Sequence, residues 1–431
     1  MADIFDKVAA FLRESPIVRT KDRAIAEGTL YRLSPMDNAG PWINVDGRRI
    51  LQFSTNDYLG LAHHPRLRQA AMDVVSKYGV SAPMGARPLT GTTELHEELE
   101  RQLADFERRE RALVFSNGAQ TMMGCVAALA GPKDLVVLDQ YAHASLVCGA
   151  RISGARVRFF EHNNIESLQA VLAKAAPDQA KMVVVDGVYS MQGDIAPLDE
   201  VCAVCKKHGA RLVVDDAHGI GVCGANGRGT PELFDVEDQI DLHLGTCSKA
   251  MATTGGFATG EAGLIDFLRF NAPTILFTKA MPACVAAATL ESLKLLREGN
   301  DRRKALWENT RLLQTGLREA GCNIGQTRTP ITPIHGNGTD AVHMNTVLYD
   351  EYGIWVSAVL YPAVPIGSSI LRAIPTAAHT AQDVGVFLNA MRAMKHTSYL
   401  AEGSSPNSGA SGSELLQKAS TEAGLSPRAA Q

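Results

Sequence analysis

Residues 211–230 read RLVVDDAHGIGVCGANGRGT, and residues 242–260 read LHLGTCSKAMATTGGFATG. The run Arg211–Val214 has the short, continuous apolar character of a buried strand. It ends in Asp215, and His218 follows three residues later, just past the strand's end. A second short strand, Leu242–Gly245, delivers Thr246, Ser248 and Lys249 ahead of the pair Gly255 and Gly256. An acid, an imidazole and an amine therefore leave the ends of two strands. In open α/β sheets, ligands sit beyond the carboxyl ends of the strands.

A lysine amine forms a Schiff base with an aldehyde where its surroundings let it lose a proton. A pyridine ring works as an electron sink while its nitrogen stays protonated, which asks for a facing carboxylate. Lys249 suits the first task and Asp215 the second, so the pair points to pyridoxal 5'-phosphate. The small residues around Lys249 would let backbone approach a phosphate. The competing account is a solvated lysine after one strand and a helix-capping aspartate after the other. The segments on either side decide between the two.

Working outward, strand and helix patterns alternate. RALVFSNGAQTMMGCVAAL (111–129) reads as strand, turn and helix. Its turn Ser116-Asn117-Gly118-Ala119 offers free backbone N–H groups at a helix start, where phosphate binds well. DLVVLDQYAHAS (134–145) places His143 at another helix start, and DGVYSMQGDIAPL (186–198) places Ser190 near a strand's end. Asp194 and Pro197 are expected to form the turn into the next helix. Upstream, WINVDGRRILQF (42–53) reads as two short strands around an Asp-Gly turn, followed by FSTNDYLGLAHHP (53–65) with Asn56. Helices are expected over 65–78 and over 94–107, with Thr92 or Thr93 as the cap of the second. Downstream, ILFTKAMP (275–282) holds Thr278, a helix is expected over 302–320, and LRAIPTAAHT (371–380) holds Arg372. The guanidinium of Arg372 suits bidentate binding of a carboxylate. His63, His64, His96, His162 and His379 read as surface or structural residues.

DDAHGIGVCGANGRG and GTCSKAMATTGGF, with NDYLGL, the His143 segment and DGVYSMQGDIAPL in the same order, resemble the signature segments of the α-oxoamine synthases. That family of fold-type I pyridoxal phosphate enzymes includes serine palmitoyltransferase, 8-amino-7-oxononanoate synthase, glycine C-acetyltransferase and 5-aminolevulinate synthase. The resemblance covers about residues 45–396. It implies an α/β fold: a large domain with a mostly parallel sheet of the seven-stranded type flanked by helices, and a smaller α+β C-terminal domain. The corresponding division is 1–55 (N-terminal helix and arm), 56–290 (cofactor domain), 291–396 (small domain) and 397–431 (tail).

The same resemblance implies site roles. Lys249 holds the cofactor as an aldimine and later takes the α-proton. Asp215 faces the pyridine nitrogen, and His143 stacks on the ring. His218 bonds the ring hydroxyl or the substrate carbonyl. Ser190 lies near the ring. Gly118 and Ala119 serve the phosphate, Thr246 and Ser248 reach the phosphate or the surroundings of Lys249, and Thr278 reaches the phosphate of a neighbouring subunit. Asn56 and Arg372 orient the amino-acid carboxylate. The implied reaction is a decarboxylating condensation of a small amino acid with an acyl-CoA or acyl carrier protein thioester, in a homodimer. Bacterial serine palmitoyltransferase-like members match best, which implies serine and a long acyl chain. The 8-amino-7-oxononanoate synthases, the glycine acetyltransferases and a natural-product synthase are the alternatives within the family. An aminotransferase, a decarboxylase or a non-catalytic scaffold subunit are the alternatives outside it, and Lys249 argues against the scaffold. The sequence departs from the family at Ser81, Ala82, Pro83 and Met84, where glycines are common. Ala119 stands where an aromatic is usual, and Lys279 and Ala280 replace small hydroxyl residues.

Composition sets the remaining bounds. Of 431 residues, 45% are hydrophobic and 20% charged, an ordinary balance for a soluble globular chain. A net charge of -4 gives no general attraction to nucleic acid. No apolar run is long enough to span a membrane, and MADIFDKVAAFLRESPIV lacks the core of a secretory signal, so a cytoplasmic location is expected. A long acyl substrate would still bring peripheral contact with a membrane. Eight cysteines in a chain this long do not make a disulfide framework. Cys202 and Cys205 form a single CxxC on a helix, without the second pair that zinc requires, so no metal site is expected. Residues 2–13 have amphipathic helical spacing, and the Ser, Gly, Ala and Pro content after residue 397 predicts a mobile tail.

Overall fold

The computed structural model describes residues 40–45, 47–298, 300–361 and 363–396. The helix expected over residues 2–13 and the tail from residue 397 lie outside the described residues.

The strands are β1 (Trp42–Val45), β2 (Arg48–Gln52), β3 (Arg111–Phe115), β4 (Leu135–Asp139), β5 (Arg156–Phe160), β6 (Lys181–Asp186), β7 (Arg211–Asp215), β8 (Leu242–Thr246), β9 (Gly256–Gly260), β10 (Thr332–Asn337), β11 (Ile354–Trp355), β12 (Ser357–Val359) and β13 (Ser368–Ala373). Seven of them build the main sheet in the order β3-β9-β8-β7-β6-β4-β5. β5, β4, β6, β7 and β8 run parallel, and β9 runs antiparallel between β8 and β3. This is the mostly parallel sheet that the alternation of strand and helix predicts. Its central strands are Val-rich and buried apart from the first residues Lys181 and Arg211, as expected of strands covered on both faces.

Side-chain alternation divides the strand residues between two apolar layers. Val136, Leu138, Val184, Val213 and Leu244 face Met122, Val126, Leu146 and Ile265 of the helices on one side. Val137, Val183, Val185, Leu212 and Val214 face Leu168, Leu172, Leu198 and Val201 on the other. The helices stop where the chain dictates. Leu198–His208 opens with Asp199 and Glu200, closes with Lys206, Lys207 and His208, and ends at Gly209 with φ 62°. Both charge placements suit the helix dipole, and glycine takes the left-handed C-terminal position without strain. Cys202 and Cys205 are buried on this helix, as expected, and no cysteine among the described residues is in a disulfide.

Two three-stranded sheets complete the architecture. β1 and β2 pair antiparallel as expected of the two short strands, Asp46 between them lying outside the described residues, and β11 adds to β2 in parallel. β10, β13 and β12 form an antiparallel sheet in which Arg372 of β13 pairs in register with Pro333 and Ser357. Described residues up to Ala393 cluster as one compact unit. The helices expected over 65–78, 94–107 and 302–320 are Pro65–Tyr78, Glu94–Phe106 and Asp301–Glu319. Thr93 occupies the N-cap position of the second but makes no capping bond; its hydroxyl instead bonds His96 Nδ1 at 2.7 Å.

Candidate active site

Parallel strands β6, β7 and β8 end side by side, and Asp186 and Asp215 are register partners on the first two. Both carboxylates are buried. Burial raises the pKa of Asp215, and the charge of Lys249 and the N–H of Ala217, which donates to its Oδ1 at 3.0 Å, oppose that rise. Burial and the neighbouring charge of Asp215 push Asp186 well above the usual carboxylate range. Its Oδ1 accepts the backbone N–H of His143 at 3.1 Å. Lys249 follows β8, and burial brings its amine down to about 8, against the attraction of Asp215. An amine with that pKa is available as a base and a nucleophile near neutrality.

His218 is buried, and burial followed by the charge of Lys249 holds it well below the usual imidazole range. Its Nδ1 lies 2.7 Å from the hydroxyl of Tyr58. A neutral ring has one N–H, and with the Tyr58 hydroxyl donating to Nδ1 that proton would sit on Nε2. Arg372 on β13 is buried as well. Its Nε donates to Ser190 O at 2.6 Å, and its two terminal nitrogens each lie 3.4 Å from Asn56 Oδ1. Among the described residues no carboxylate pairs with it; neutral oxygens of Ser190, Asn56 and Tyr58 hold this buried cation, and burial lowers its pKa. That arrangement suits an anionic ligand.

The turn after β3 comes close to the end of β8. A Cβ on Gly118 would stand 2.6 Å from Thr246 Oγ1, so only glycine fits there. Thr246 Oγ1 bonds Gly255 O at 2.9 Å and Ser248 Oγ at 2.7 Å. The sequence reading of a free N–H at Ala119 needs correction: it donates to Asn117 Oδ1 at 2.9 Å, because Asn117 is the N-cap of its helix. His143 also acts as an N-cap, its Nδ1 accepting from Ser145 N at 3.3 Å, while its ring stays exposed. Thr278 is half-buried on a segment tied to the same turn, since Ser116 Oγ donates to Lys279 O at 2.5 Å.

The structure thus gathers Asp215, His218, Lys249, Thr246 and Ser248 at adjacent strand ends, and joins Asn56, Ser190 and Arg372 by hydrogen bonds. Two residues of this cluster went unassigned in the sequence. Tyr58 lay within NDYLGL and Asp186 opened DGVYSM, but neither segment shows that one reaches His218 and the other Asp215. His162 proves structural, as expected, bridging Asp139 Oδ1 at 2.9 Å and Asp194 Oδ2 at 2.7 Å. The Asp194 side chain therefore holds His162 and Asn163 rather than the start of the helix, where Pro197 is the N-cap residue. Arg87 is a buried structural cation, 2.7 Å from Glu100.

The model of the family aminotransferase class I and II matches residues 48–391. The chain is 37% identical over 383 residues to an 8-amino-7-oxononanoate synthase of Thermoanaerobacter pseudethanolicus, covering 88% of this chain and 96% of that one. It is 37% identical over 402 residues to a cysteate-C-fatty acyltransferase of Capnocytophaga ochracea, covering 92% and 95%. A serine palmitoyltransferase structure from S. paucimobilis, holding a pyridoxal phosphate–myriocin aldimine, superposes with a TM-score of 0.87 at 32% identity, covering 92% and 99%.

The chain belongs to the α-oxoamine synthases. This α-oxoamine synthase is a pyridoxal phosphate-dependent acyltransferase on the fold-type I scaffold. Its own residues fit the cofactor: a buried acid, a lysine of lowered pKa, an exposed imidazole face and a glycine-tight hydroxyl turn converge at the strand ends. Among the described residues no cluster of His, Cys, Asp or Glu suits a metal ion, and no helix is long and apolar enough to cross a membrane.

Proposed function

We propose that this α-oxoamine synthase condenses L-serine with a long-chain acyl-CoA, releasing coenzyme A and carbon dioxide and leaving an α-amino ketone. The observation that carries the amino-acid half is the buried, carboxylate-free Arg372 beside Asn56 and Ser190. The superposition on serine palmitoyltransferase supports the acyl half. The identity to the T. pseudethanolicus enzyme supports a second reading, 8-amino-7-oxononanoate synthesis.

Pyridoxal phosphate supplies an aldehyde for the amino group and a ring that takes up the electron pair of the α-carbon. Asp215 would keep the proton on the ring nitrogen, and Thr246, Ser248 and the turn at Gly118 would hold the phosphate. His143 would lie against the ring. Arg372 and Asn56 grip the substrate carboxylate, which fixes the orientation of the α-carbon. Lys249 binds the cofactor when no substrate is present, then removes and returns the α-proton. His218 donates from Nε2 to a substrate oxygen, in the tautomer set by Tyr58.

The reading includes a homodimer. Val80, Met84, Leu89 and Phe277 are exposed apolar side chains, and the loop and segment carrying them are joined by the bond from Ala280 N to Gly85 O at 3.0 Å. A second copy covering this face would bring its Thr278 towards the partner's phosphate turn. Velocity sedimentation of the wild type and of Phe277→Glu checks the dimer: a monomeric wild type rules it out.

The deciding experiment is a matrix of serine, alanine, glycine and cysteate against acyl-CoA and acyl carrier protein thioesters of increasing length, reading thiol release. Serine with long acyl-CoA should give the highest kcat/KM. Preference for alanine with a dicarboxylic acyl group would favour the second reading. Turnover with an amino acid and no thioester would favour an aminotransferase or decarboxylase.

A further inference from the structure

Directly behind Asp215 lies a second charged cluster to which the reaction assigns no role. Asp216, the next residue, is fully buried, and so are His243 on β8 and Glu107 at the end of the helix Glu94–Phe106. His243 Nδ1 is 3.0 Å from Glu107 Oε2, and its Nε2 is 3.2 Å from Asp216 Oδ2. The same Asp216 oxygen accepts the N–H of Thr230 at 2.6 Å. Backbone crowds around this carboxylate: a Cβ on Gly187, Gly219 or Gly229 would lie 2.4, 2.0 or 1.9 Å from its oxygens. Asp216 N donates to Leu244 O, and Asp216 O receives Gly219 N and Ile220 N. Asp216 is therefore the hub of the turn that carries Asp215 and His218.

Both imidazole nitrogens of His243 face carboxylate oxygens, which only accept. A neutral ring has one N–H, so one of the two contacts would set lone pair against lone pair. The geometry calls for the imidazolium, and the attraction of Glu107 and Asp216 raises His243 to about 9 although burial alone would lower it. Glu107 is raised by burial and lowered by His243. Arg228 and Arg109 act on Glu107 from the next layer, Glu237 lies near His243, and Lys249 lies near Asp216. With His243 protonated, the triad carries one net negative charge.

We propose that Glu107 and His243 are positioning residues that anchor Asp216 and set the charge felt at Asp215 and Lys249. The inference rests on the assignment of Asp215 and Lys249 to the cofactor. In this arrangement His243 stops the buried charge of Asp216 from adding fully to that of Asp215; Asp216 keeps the ring protonated through Nε2, while Glu107 holds it at Nδ1 and adds a negative charge of its own.

The test is a pH titration of the visible absorption band of bound pyridoxal phosphate, in the full-length holoenzyme without substrate. His243→Gln leaves two buried carboxylates uncompensated and should raise the midpoint; Glu107→Gln removes one negative charge and should lower it. A unit charge about 10 Å away at an effective dielectric of about 20 shifts a midpoint by roughly one pH unit. The double variant restores one net negative charge and should titrate like the wild type. Unchanged midpoints in both single variants, shifts of the same sign, or a double variant that stays displaced would each overturn the proposal. A merely structural triad would lower Tm without these opposed shifts. If His243→Gln does not fold, the sign of the Glu107→Gln shift decides. Failure of the underlying assignment looks different: Asp215→Asn would keep the wild-type band and midpoint.

Discussion

Replacing Arg372 with Gln should make the enzyme more stable and its amino-acid binding far weaker. Arg372 is 7% exposed, and its partners are a carbonyl oxygen, an amide oxygen and the Tyr58 hydroxyl. A buried cation without a counter-ion costs free energy in the unliganded protein. Glutamine removes that charge but keeps a donor for Ser190 O, so Tm without substrate should rise by a few degrees. The substrate carboxylate is the missing counter-ion in this reasoning. Deleting one partner of a buried, hydrogen-bonded charge pair costs about 3–4 kcal/mol, or roughly 150- to 900-fold in affinity. Pyridoxal phosphate should bind as before, because no cofactor contact is assigned to Arg372. The assay is titration of the cofactor band with serine, paired with thermal melts of the same preparations. An amino-acid Kd within about fivefold of wild type would refute the counter-ion argument, as would an equal loss of cofactor affinity.

Other consequences follow from the same geometry. Tyr58→Phe leaves a buried imidazole acceptor without its donor, worth about 1–3 kcal/mol, so kcat/KM should fall roughly 5- to 150-fold with cofactor affinity unchanged; a wild-type rate would remove Tyr58 from the mechanism. The rate at which apoenzyme captures pyridoxal phosphate should climb with pH to a midpoint near 8, since burial lowers the Lys249 amine to about that value; stopped-flow absorbance showing a midpoint near 10 would contradict it. At His162, burial alone would lower the pKa, but hydrogen bonds to Asp139 and Asp194 outweigh it and raise the ring to about 9. A raised folded pKa gives stability that is fully present below the unfolded value of about 6.5 and lost as pH rises through about 9. Denaturant melts should therefore show His162→Gln about 1–2 kcal/mol less stable than wild type at pH 6, with the gap closing by pH 10.

Much of this protein is decided within short segments of chain. A short, mainly apolar strand ending in a polar residue brings that residue to the sheet's carboxyl edge, so Asp215, Thr246 and Lys249 were legible from 211–260 alone. The hairpin at Trp42–Gln52 and the helix ends at Tyr78 and Gly209 are local in the same way, set by turn residues, glycine and charge order. Assemblies that join distant segments were not legible. Tyr58 meets His218 across 160 positions, Arg372 meets Asn56 across 316, and Glu107 meets His243 across 136. Periodicity and spacing carry no information about such pairs, because they depend on which strand lies beside which. The antiparallel insertion of β9, which brings Gly255 against Thr246, is of the same kind. So is the state of the Ala119 N–H, which rests on the rotamer of Asn117. The residue types able to do this chemistry, and the strand ends that carry most of them, are written in the order of the chain. The proton state of each depends on burial and neighbouring charge, which exist only once the sheet has closed around them.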